Sequence, residues 1–243
     1  MNTPSFICPR LSGMSNGECP FISCIYLEGA DLDRAASAIA YAAMGYAGQK
    51  CTATSRVIVE ETVYEELRDR LVAAVEGMEI VDPEKETTQV GPLIDNASRS
   101  SALEVLDRSG GRIVTGGKPL DDDGFYLEPT LVEVDDTDNA LTREEVFAPI
   151  AAMFKADSAE EALCVANGVR YGLVAAVFTD NLERAMAFAD RLETGLVRVN
   201  AATSGVDFHV PFGGAKDSGI GFKEQGLAAR DFYTETRTVL VSP

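Results

Sequence analysis

A cysteine lies in a short polar connector between two stretches of regular hydrophobic spacing. The connector is Ala47-Gly48-Gln49-Lys50-Cys51-Thr52-Ala53-Thr54-Ser55-Arg56, which follows a helix-like run and precedes a strand-like run. Gly48 can end the helix, and Gln49 places an amide next to the thiol. Connectors often carry reactive side chains, so Cys51 is a candidate nucleophile. The competing interpretation is that Cys51, like most lone cysteines, is a small buried core residue.

A second polar group precedes another strand-like run, in the order Arg143-Glu144-Glu145-Val146-Phe147-Ala148-Pro149. A carboxylate such as Glu145 can accept hydrogen bonds from two hydroxyl groups, and the ring of Phe147 can lie against a flat heterocycle. The competing interpretation is an acidic pair at the surface in front of a core strand.

A glycine-rich loop near the C-terminus reads Pro211-Phe212-Gly213-Gly214-Ala215-Lys216-Asp217-Ser218-Gly219, and Lys223-Glu224-Gln225-Gly226 follows it. Its paired glycines allow the backbone to pack close to a substrate channel. A phosphate-binding loop would need a Gly-Lys-Ser or Gly-Lys-Thr order after a strong strand, which this stretch does not have. The sequence therefore does not predict phosphate binding by this loop.

The three motifs, in this order, resemble the aldehyde dehydrogenase superfamily. The matching features are Gly-Gln-x-Cys with Thr-x-Thr-Ser-Arg, Glu-x-Phe-x-Pro with Ala148 at the usual glycine, and Pro-Phe-Gly-Gly-x-Lys-x-Ser-Gly. The resemblance implies that Cys51 attacks an aldehyde, that Glu145 holds a ribose hydroxyl of NAD or NADP, and that Phe147 lies near the nicotinamide ring. We therefore expect Glu145 and Phe147 in the same cleft as Cys51. The C-terminal loop is most similar to semialdehyde-oxidising members, such as those that act on 2,5-dioxopentanoate.

Members of this superfamily are much longer than the 243 residues present here. We expect residues 1–28 to be a remnant of an upstream segment and residues 29–243 to form the catalytic domain, with the N-terminal Rossmann half missing. The family's general base would align with Met14 or Gly17, and neither is a carboxylate. Glu18 is the nearest carboxylate, but it lies in the wrong register.

Two functions of different classes follow from the resemblance. The first is NAD(P)-dependent oxidation of an aldehyde to a carboxylic acid, by a homo-oligomer or by a catalytic part that a cofactor-binding chain completes. The second is a truncated, non-catalytic relative that acts as a folded or oligomerising protein. An acyl-phosphate reductase is a poorer third interpretation, since the Phe212 and Glu145 motifs favour aldehyde oxidation.

The composition argues against several further classes of protein. With 21 basic and 39 acidic residues, the net charge is −18, which opposes binding to nucleic acid. No apolar run is long enough for a membrane span, and the first residues lack the features of a signal peptide. Five scattered cysteines favour a reduced, cytoplasmic protein, and a single histidine, His209, argues against a metal site.

Hydrophobic periodicity predicts alternating strands and helices. Such alternation indicates an α/β fold with a mostly parallel sheet flanked by helices. We predict helix N-caps at Asp31, Thr62, Ser158 and Asp180, and two further helices over residues 96–108 and 224–232. The predicted strands cover residues 21–27, 56–60, 112–115, 131–134, 149–154, 173–178, 196–199 and 238–241.

Overall fold

The computed structural model describes residues 22–120 and 124–243, which form a sheet with helices packed against it. Seven strands pair in the order β3-β4-β5-β2-β1-β7-β8, and every neighbouring pair is parallel except β3 with β4. The bounds of these strands are Ser23–Tyr26 (β1), Arg56–Glu60 (β2), Arg112–Thr115 (β3), Thr130–Glu133 (β4), Ile150–Ala156 (β5), Val174–Phe178 (β7) and Leu196–Val199 (β8). The α/β fold with a mostly parallel sheet is therefore confirmed.

The centre of the sheet contains short strands that are buried on both faces. All four residues of β1 are buried between β2 and β7, and all five residues of β7 are buried. Strands that are covered on both faces read as continuous apolar runs, which is why residues 173–178 show no alternation. The strand expected over residues 21–27 thus lies in the middle of the sheet.

The helices follow the predicted hydrophobic faces. The first, α1, buries one alanine-rich face and packs against α2, and Asp31 caps it by accepting a hydrogen bond from Arg34 N at 3.0 Å. Gly110 ends α3 in the left-handed conformation, as the glycine pair predicts. The bounds are Leu32–Met44 (α1), Tyr64–Glu76 (α2), Asn96–Ser109 (α3), Ala140–Arg143 (α4), Ala159–Asn167 (α5), Leu182–Arg191 (α6) and Ala228–Tyr233 (α7).

Two predicted caps are wrong. Thr62 lies within a 3₁₀ turn over Glu61–Val63, so α2 begins at Tyr64 without a side-chain cap. The cap of α6 is Asn181, whose side chain accepts from Arg184 N at 3.0 Å, rather than Asp180. Ser158 does cap α5, although Glu161 reaches back to the backbone N–H of Asp157.

The strand predicted over residues 238–241 is also wrong. Residues 234–243 carry no regular structure, and Leu240 is 91% exposed. Apolar and β-branched residues favour a strand only where they pair with a neighbouring strand, and no strand in the described part of this chain pairs with this segment. Across residues 22–120 and 124–243, no helix has the length and hydropathy of a membrane-spanning one.

Candidate active site

The cysteine connector and the Glu145 segment meet at one edge of the sheet. β2 and β5 are parallel neighbours in which Arg56 pairs with Ala152, so the segments that lead into them lie side by side. Cys51 lies just before β2, and Glu145 and Phe147 lie just before β5. All three line one cavity of about 30 Å³ between the two segments. The expected placement in a common cleft agrees with this geometry.

The three described cysteines differ in their surroundings. Cys51 is exposed, Cys164 is half-buried and Cys24 is fully buried. Burial raises the pKa of the Cys24 thiol to about 12, although a hydrogen bond with Thr54 lowers it. The core interpretation therefore fits Cys24, whereas Cys51 has the access that a nucleophile needs.

We expect a limiting amount of a neutral alkylating reagent to modify Cys51 before any other described cysteine. The reason is that a thiolate is the reacting form, and Cys24 is both inaccessible and held as a thiol at neutral pH. Peptide mapping of the adduct by mass spectrometry measures this order. First modification at Cys24 or Cys164 would contradict it.

The loop that carries Cys51 enters through three successive left-handed residues. Tyr46, Ala47 and Gly48 have φ angles of 58°, 53° and 67°. A Cβ on Gly48 would lie 2.1 Å from the carbonyl oxygen of Ala148, so the backbones of the two segments are in direct contact. Residues with side chains rarely adopt this conformation, and such strain often occurs at functional sites.

Side chains from distant segments hold the same loop in place. The Gln49 side-chain oxygen accepts a hydrogen bond from Ile94 N at 3.0 Å. On the other side, the Thr203 hydroxyl donates to the carbonyl of Thr52 at 2.7 Å and lies 2.9 Å from the Thr54 hydroxyl. The predicted amide beside the thiol is therefore a support for the loop.

A buried arginine fixes the point where the loop becomes β2. Arg56 is 2% exposed, and its guanidinium donates to the carbonyls of Val165 and Ala166 at the end of α5, at 3.1 and 3.0 Å. It also donates to the Ser23 hydroxyl at 2.6 Å. The carbonyl end of a helix favours a cation. Burial, reinforced by the charge of Arg143, lowers the pKa of Arg56 to about 9.

The two neighbouring glutamates have different surroundings. Glu144 forms two hydrogen bonds with the Arg108 guanidinium, at 2.7 and 2.8 Å, and this pairing lowers the pKa of its carboxyl group. Glu145 is exposed on the cavity side, and Phe147 is 43% exposed with a left-handed φ of 49°. The ion pair to α3 thus positions the segment, while Glu145 and Phe147 face the space in front of it.

A large open groove adjoins the small cavity. Its volume is about 1350 Å³, and it shares Val146 and Phe147 with the cavity of Cys51. Typical ligand pockets measure about 300–1,000 Å³, so this groove can take a ligand of considerable size. The rest of its lining is largely apolar and aromatic, and includes Tyr41, Tyr46, Pro92, Leu93, Ile94 and Ala97.

The third motif is a folded loop whose polar groups are engaged by the protein itself. Ala215–Lys216 (β9) pairs with Tyr171–Gly172 (β6) in a small antiparallel sheet. The Lys216 ammonium donates to the carbonyls of Asn167 and Val169 at 2.6 and 3.0 Å. This arrangement agrees with the rejection of a phosphate-binding loop. The glycines serve close packing, since a Cβ on Gly195 would lie 1.8 Å from the Gly213 oxygen.

The sequence profile of the aldehyde dehydrogenase family matches residues 22–239. This chain belongs to the aldehyde dehydrogenase family. It is similar to an alpha-ketoglutaric semialdehyde dehydrogenase of Bacillus subtilis, with 38% identity over 226 residues, which are 90% of this chain and 46% of the relative. It is also similar to a 2,5-dioxopentanoate dehydrogenase of Saccharolobus solfataricus, with 34% identity over 216 residues, which are 87% of this chain and 45% of that one. The predicted family and semialdehyde-type resemblance are confirmed.

Solved aldehyde dehydrogenases share this fold. A betaine aldehyde dehydrogenase of Staphylococcus aureus, in complex with NAD+, has a TM-score of 0.84 at 28% identity over 89% of this chain and 44% of its own. A glyceraldehyde-3-phosphate dehydrogenase of Methanocaldococcus jannaschii, complexed with NADP, has a TM-score of 0.79 at 32% identity over 85% and 45%. Nicotinamide nucleotides are thus the cofactors of this family, as expected. The chain spans less than half the length of these relatives.

Several sequence predictions concern residues that the structure does not describe. Glu18, the alignment positions Met14 and Gly17, and the cysteines Cys8 and Cys19 lie outside the described residues. In the remainder, the structure shows no group of three or more metal-binding side chains. The sequence did not indicate a role for Thr203, and no signal in its own neighbourhood could have indicated one, because its hydrogen-bond partners are distant in the chain.

Proposed function

We propose that this chain supplies the catalytic part of an NAD(P)-dependent aldehyde dehydrogenase that oxidises an aldehyde, in particular a semialdehyde, to a carboxylic acid. The observation that carries the proposal is the shared cavity of Cys51, Glu145 and Phe147 beside a large open groove. Cys51 is exposed at the end of a backbone that is fixed from both sides. A rigid support for a reactive group is what catalysis by positioning requires.

The proposed chemistry begins at the Cys51 thiolate. Its sulfur attacks the aldehyde carbon, a C–S bond forms, and the carbonyl π electrons move to the oxygen. The backbone N–H of Cys51 helps to stabilise that oxyanion. As the carbonyl re-forms, the hydride leaves the same carbon and a thioester remains on Cys51. Water then attacks the thioester, which releases the acid and restores the thiol.

The residues around Cys51 fit a nicotinamide nucleotide. Glu145 is an exposed carboxylate that can accept from ribose hydroxyls, and the exposed ring of Phe147 offers a face to a flat heterocycle. The groove that Phe147 also lines, with a volume of about 1350 Å³, has room for the rest of such a molecule. When bound, the nicotinamide ring accepts the hydride.

A second candidate is the non-catalytic, oligomerising relative. The C-terminal region favours an assembly, because Ile220, Leu227 and Leu240 are each more than 90% exposed. An assembly would cover such side chains and remove their apolar surface from water. This observation fits a homo-oligomer under either function. The response of Cys51 alkylation to NAD and to aldehydes distinguishes the catalytic function from the non-catalytic one.

A titration of NAD into the purified chain, combined with alkylation of Cys51, tests the proposal. We expect NAD to bind and aldehydes to slow the alkylation of Cys51 by occupying the thiol. We expect no sustained NADH production from these 243 residues alone, since more than half of each relative has no counterpart in them. If neither NAD nor any aldehyde affects Cys51, the non-catalytic function is favoured instead.

A further inference from the structure

A line of hydrogen-bonded side chains runs from the central strand β1 to the loop that carries Cys51. The Cys24 sulfur lies 3.3 Å from the Thr54 hydroxyl, and that hydroxyl lies 2.9 Å from the hydroxyl of Thr203. The Thr203 hydroxyl in turn lies 2.7 Å from the carbonyl oxygen of Thr52. All four residues are buried, and Cys24 and Thr203 are 0% exposed. Each polar group in this line therefore depends on its neighbours for its hydrogen bonds.

The direction of each hydrogen bond in this line follows from the number of protons available. A carbonyl oxygen can only accept, so the single proton of the Thr203 hydroxyl goes to Thr52. The hydroxyl of Thr54 must then donate to Thr203, and the Cys24 thiol must donate to Thr54. Cys24 keeps the proton that this requires, because burial raises the pKa of its thiol to about 12. All the donors therefore point the same way, toward the Thr52 carbonyl.

The line continues through two peptide groups and ends at the backbone N–H of Cys51. The peptide group that contains the Thr52 carbonyl also contains the N–H of Ala53, which donates to the carbonyl of Lys50 at 2.9 Å and closes a tight turn. The peptide group of that Lys50 carbonyl contains the Cys51 N–H, which has no backbone acceptor among the residues that the structure describes. Hydrogen bonds in a chain polarise one another, so each bond accepted along this line strengthens the next donor.

We propose that Thr203 is a positioning residue for the reaction, which acts on the oxyanion-binding N–H of Cys51 through the turn over residues 50–53. This inference rests on the proposed function, in which that N–H stabilises the oxyanion formed on the substrate. The Thr203 hydroxyl is the central link, because it joins Thr52 and Thr54 in the loop before β2 to the segment that follows β8. Without it the Thr52 carbonyl loses that donor, so the turn is held less firmly and the Cys51 N–H is less polarised.

A purely structural role for Thr203 predicts a different result. Loss of its hydrogen bonds would then lower the stability of the protein and would change every reaction of Cys51 alike. The proposed role affects only those reactions in which a carbonyl oxygen gains negative charge, since only they use the Cys51 N–H in the transition state.

The test compares two reactions of Cys51 that differ in their need for the oxyanion-binding N–H. Nitrophenyl acetate acylates the thiolate: a C–S bond forms, the carbonyl oxygen becomes an oxyanion, and nitrophenolate leaves as the carbonyl re-forms. Iodoacetamide alkylates the thiolate by displacement of iodide, and no oxyanion forms. In Thr203→Val, which replaces the hydroxyl by a methyl group, we expect acylation to slow about fivefold and alkylation to change by less than about twofold, as for the loss of one hydrogen bond. Thr203→Ser keeps the hydroxyl and should restore most of the acylation rate.

Thr130→Val is the matched control, because Thr130 is also 0% exposed and its hydroxyl donates to a backbone carbonyl, that of Glu128, at 2.6 Å. It lies in β4, which β5 separates from β2, so its ratio of acylation to alkylation should equal that of the unchanged chain.

An unchanged ratio in Thr203→Val, including equal losses in both reactions, would overturn the inference and leave the proposed function standing. If the ester does not acylate Cys51 in the unchanged chain, both are overturned. Circular dichroism of each variant verifies folding. If Thr203→Val unfolds, Thr54→Val interrupts the line one link earlier and should lower the ratio by about twofold, and an unchanged ratio there would equally overturn the inference.

Discussion

Replacing Gly48 by alanine is expected to destabilise the protein by about 3 kcal/mol, from a left-handed φ of 67° and overpacking against a neighbouring backbone. The new Cβ would lie 2.1 Å from the Ala148 oxygen and 2.5 Å from its carbonyl carbon. Backbone atoms cannot rotate away as a flexible side chain can. For a chain of this size, the melting temperature should fall by about 6–12 °C.

Gly110→Ala is the matched control, because Gly110 is also left-handed, with φ of 59°, but has nothing within 4 Å of the added Cβ. Only the conformational cost of about 1 kcal/mol should remain there. Thermal unfolding followed by circular dichroism compares the two variants. Equal losses in both would show that the contact between Gly48 and Ala148 does not constrain the fold.

The same substitution should also slow alkylation of Cys51. The protein can relieve the clash only by moving the Cys51 loop or the segment around Ala148, and that segment carries Glu145 and Phe147. The two motifs are separated in the chain but share one backbone contact, so a displacement of either alters the cavity between them. Gly110, which ends α3, should leave this rate unchanged.

Elements with strong local signals could be predicted from the sequence. Hydrophobic spacing indicates which face of an element is covered. It therefore predicted the buried strands β1 and β7 and the alanine-rich face of α1. The cap of α6 was not, since Asp180 and Asn181 are adjacent and both can cap a helix. Choosing between them depends on one residue of register, which local pattern does not set.

Contacts between segments that are distant in the chain could not be predicted from the local sequence pattern. Thr54 and Thr203 are 149 residues apart in the chain, yet their hydroxyls lie 2.9 Å apart. Nothing in either neighbourhood indicates the partner. The family resemblance supplied the shared cleft of Cys51 and Glu145, whereas the connection from Thr203 to the Cys51 loop became visible only in the structure. The strand predicted over residues 238–241 failed for the same reason, because a strand needs a partner that its own residues do not specify.

Replacing Cys51 by alanine is expected to abolish covalent chemistry at the site and leave the stability of the protein nearly unchanged. Cys51 is exposed, so truncating its side chain removes little packing, and the free energy of unfolding should change by about 0.5 kcal/mol or less. If Cys51 were a core residue, the outcome would be reversed, with a clear loss of stability and no loss of reactivity.

An activated ester provides the measurement without any cofactor. The Cys51 thiolate attacks the carbonyl carbon of nitrophenyl acetate, a thioester forms, and nitrophenolate leaves. We expect one acetyl group on Cys51 and a matching burst of nitrophenolate. In Cys51→Ala, the burst and the acetyl group at this site should be lost, because no nucleophile remains there. Cys164→Ala, which removes a half-buried thiol, is the matched control and should keep the burst. A burst that persists in Cys51→Ala would place the nucleophile elsewhere. We do not expect this outcome, because no other described cysteine combines exposure with the positioning of this loop.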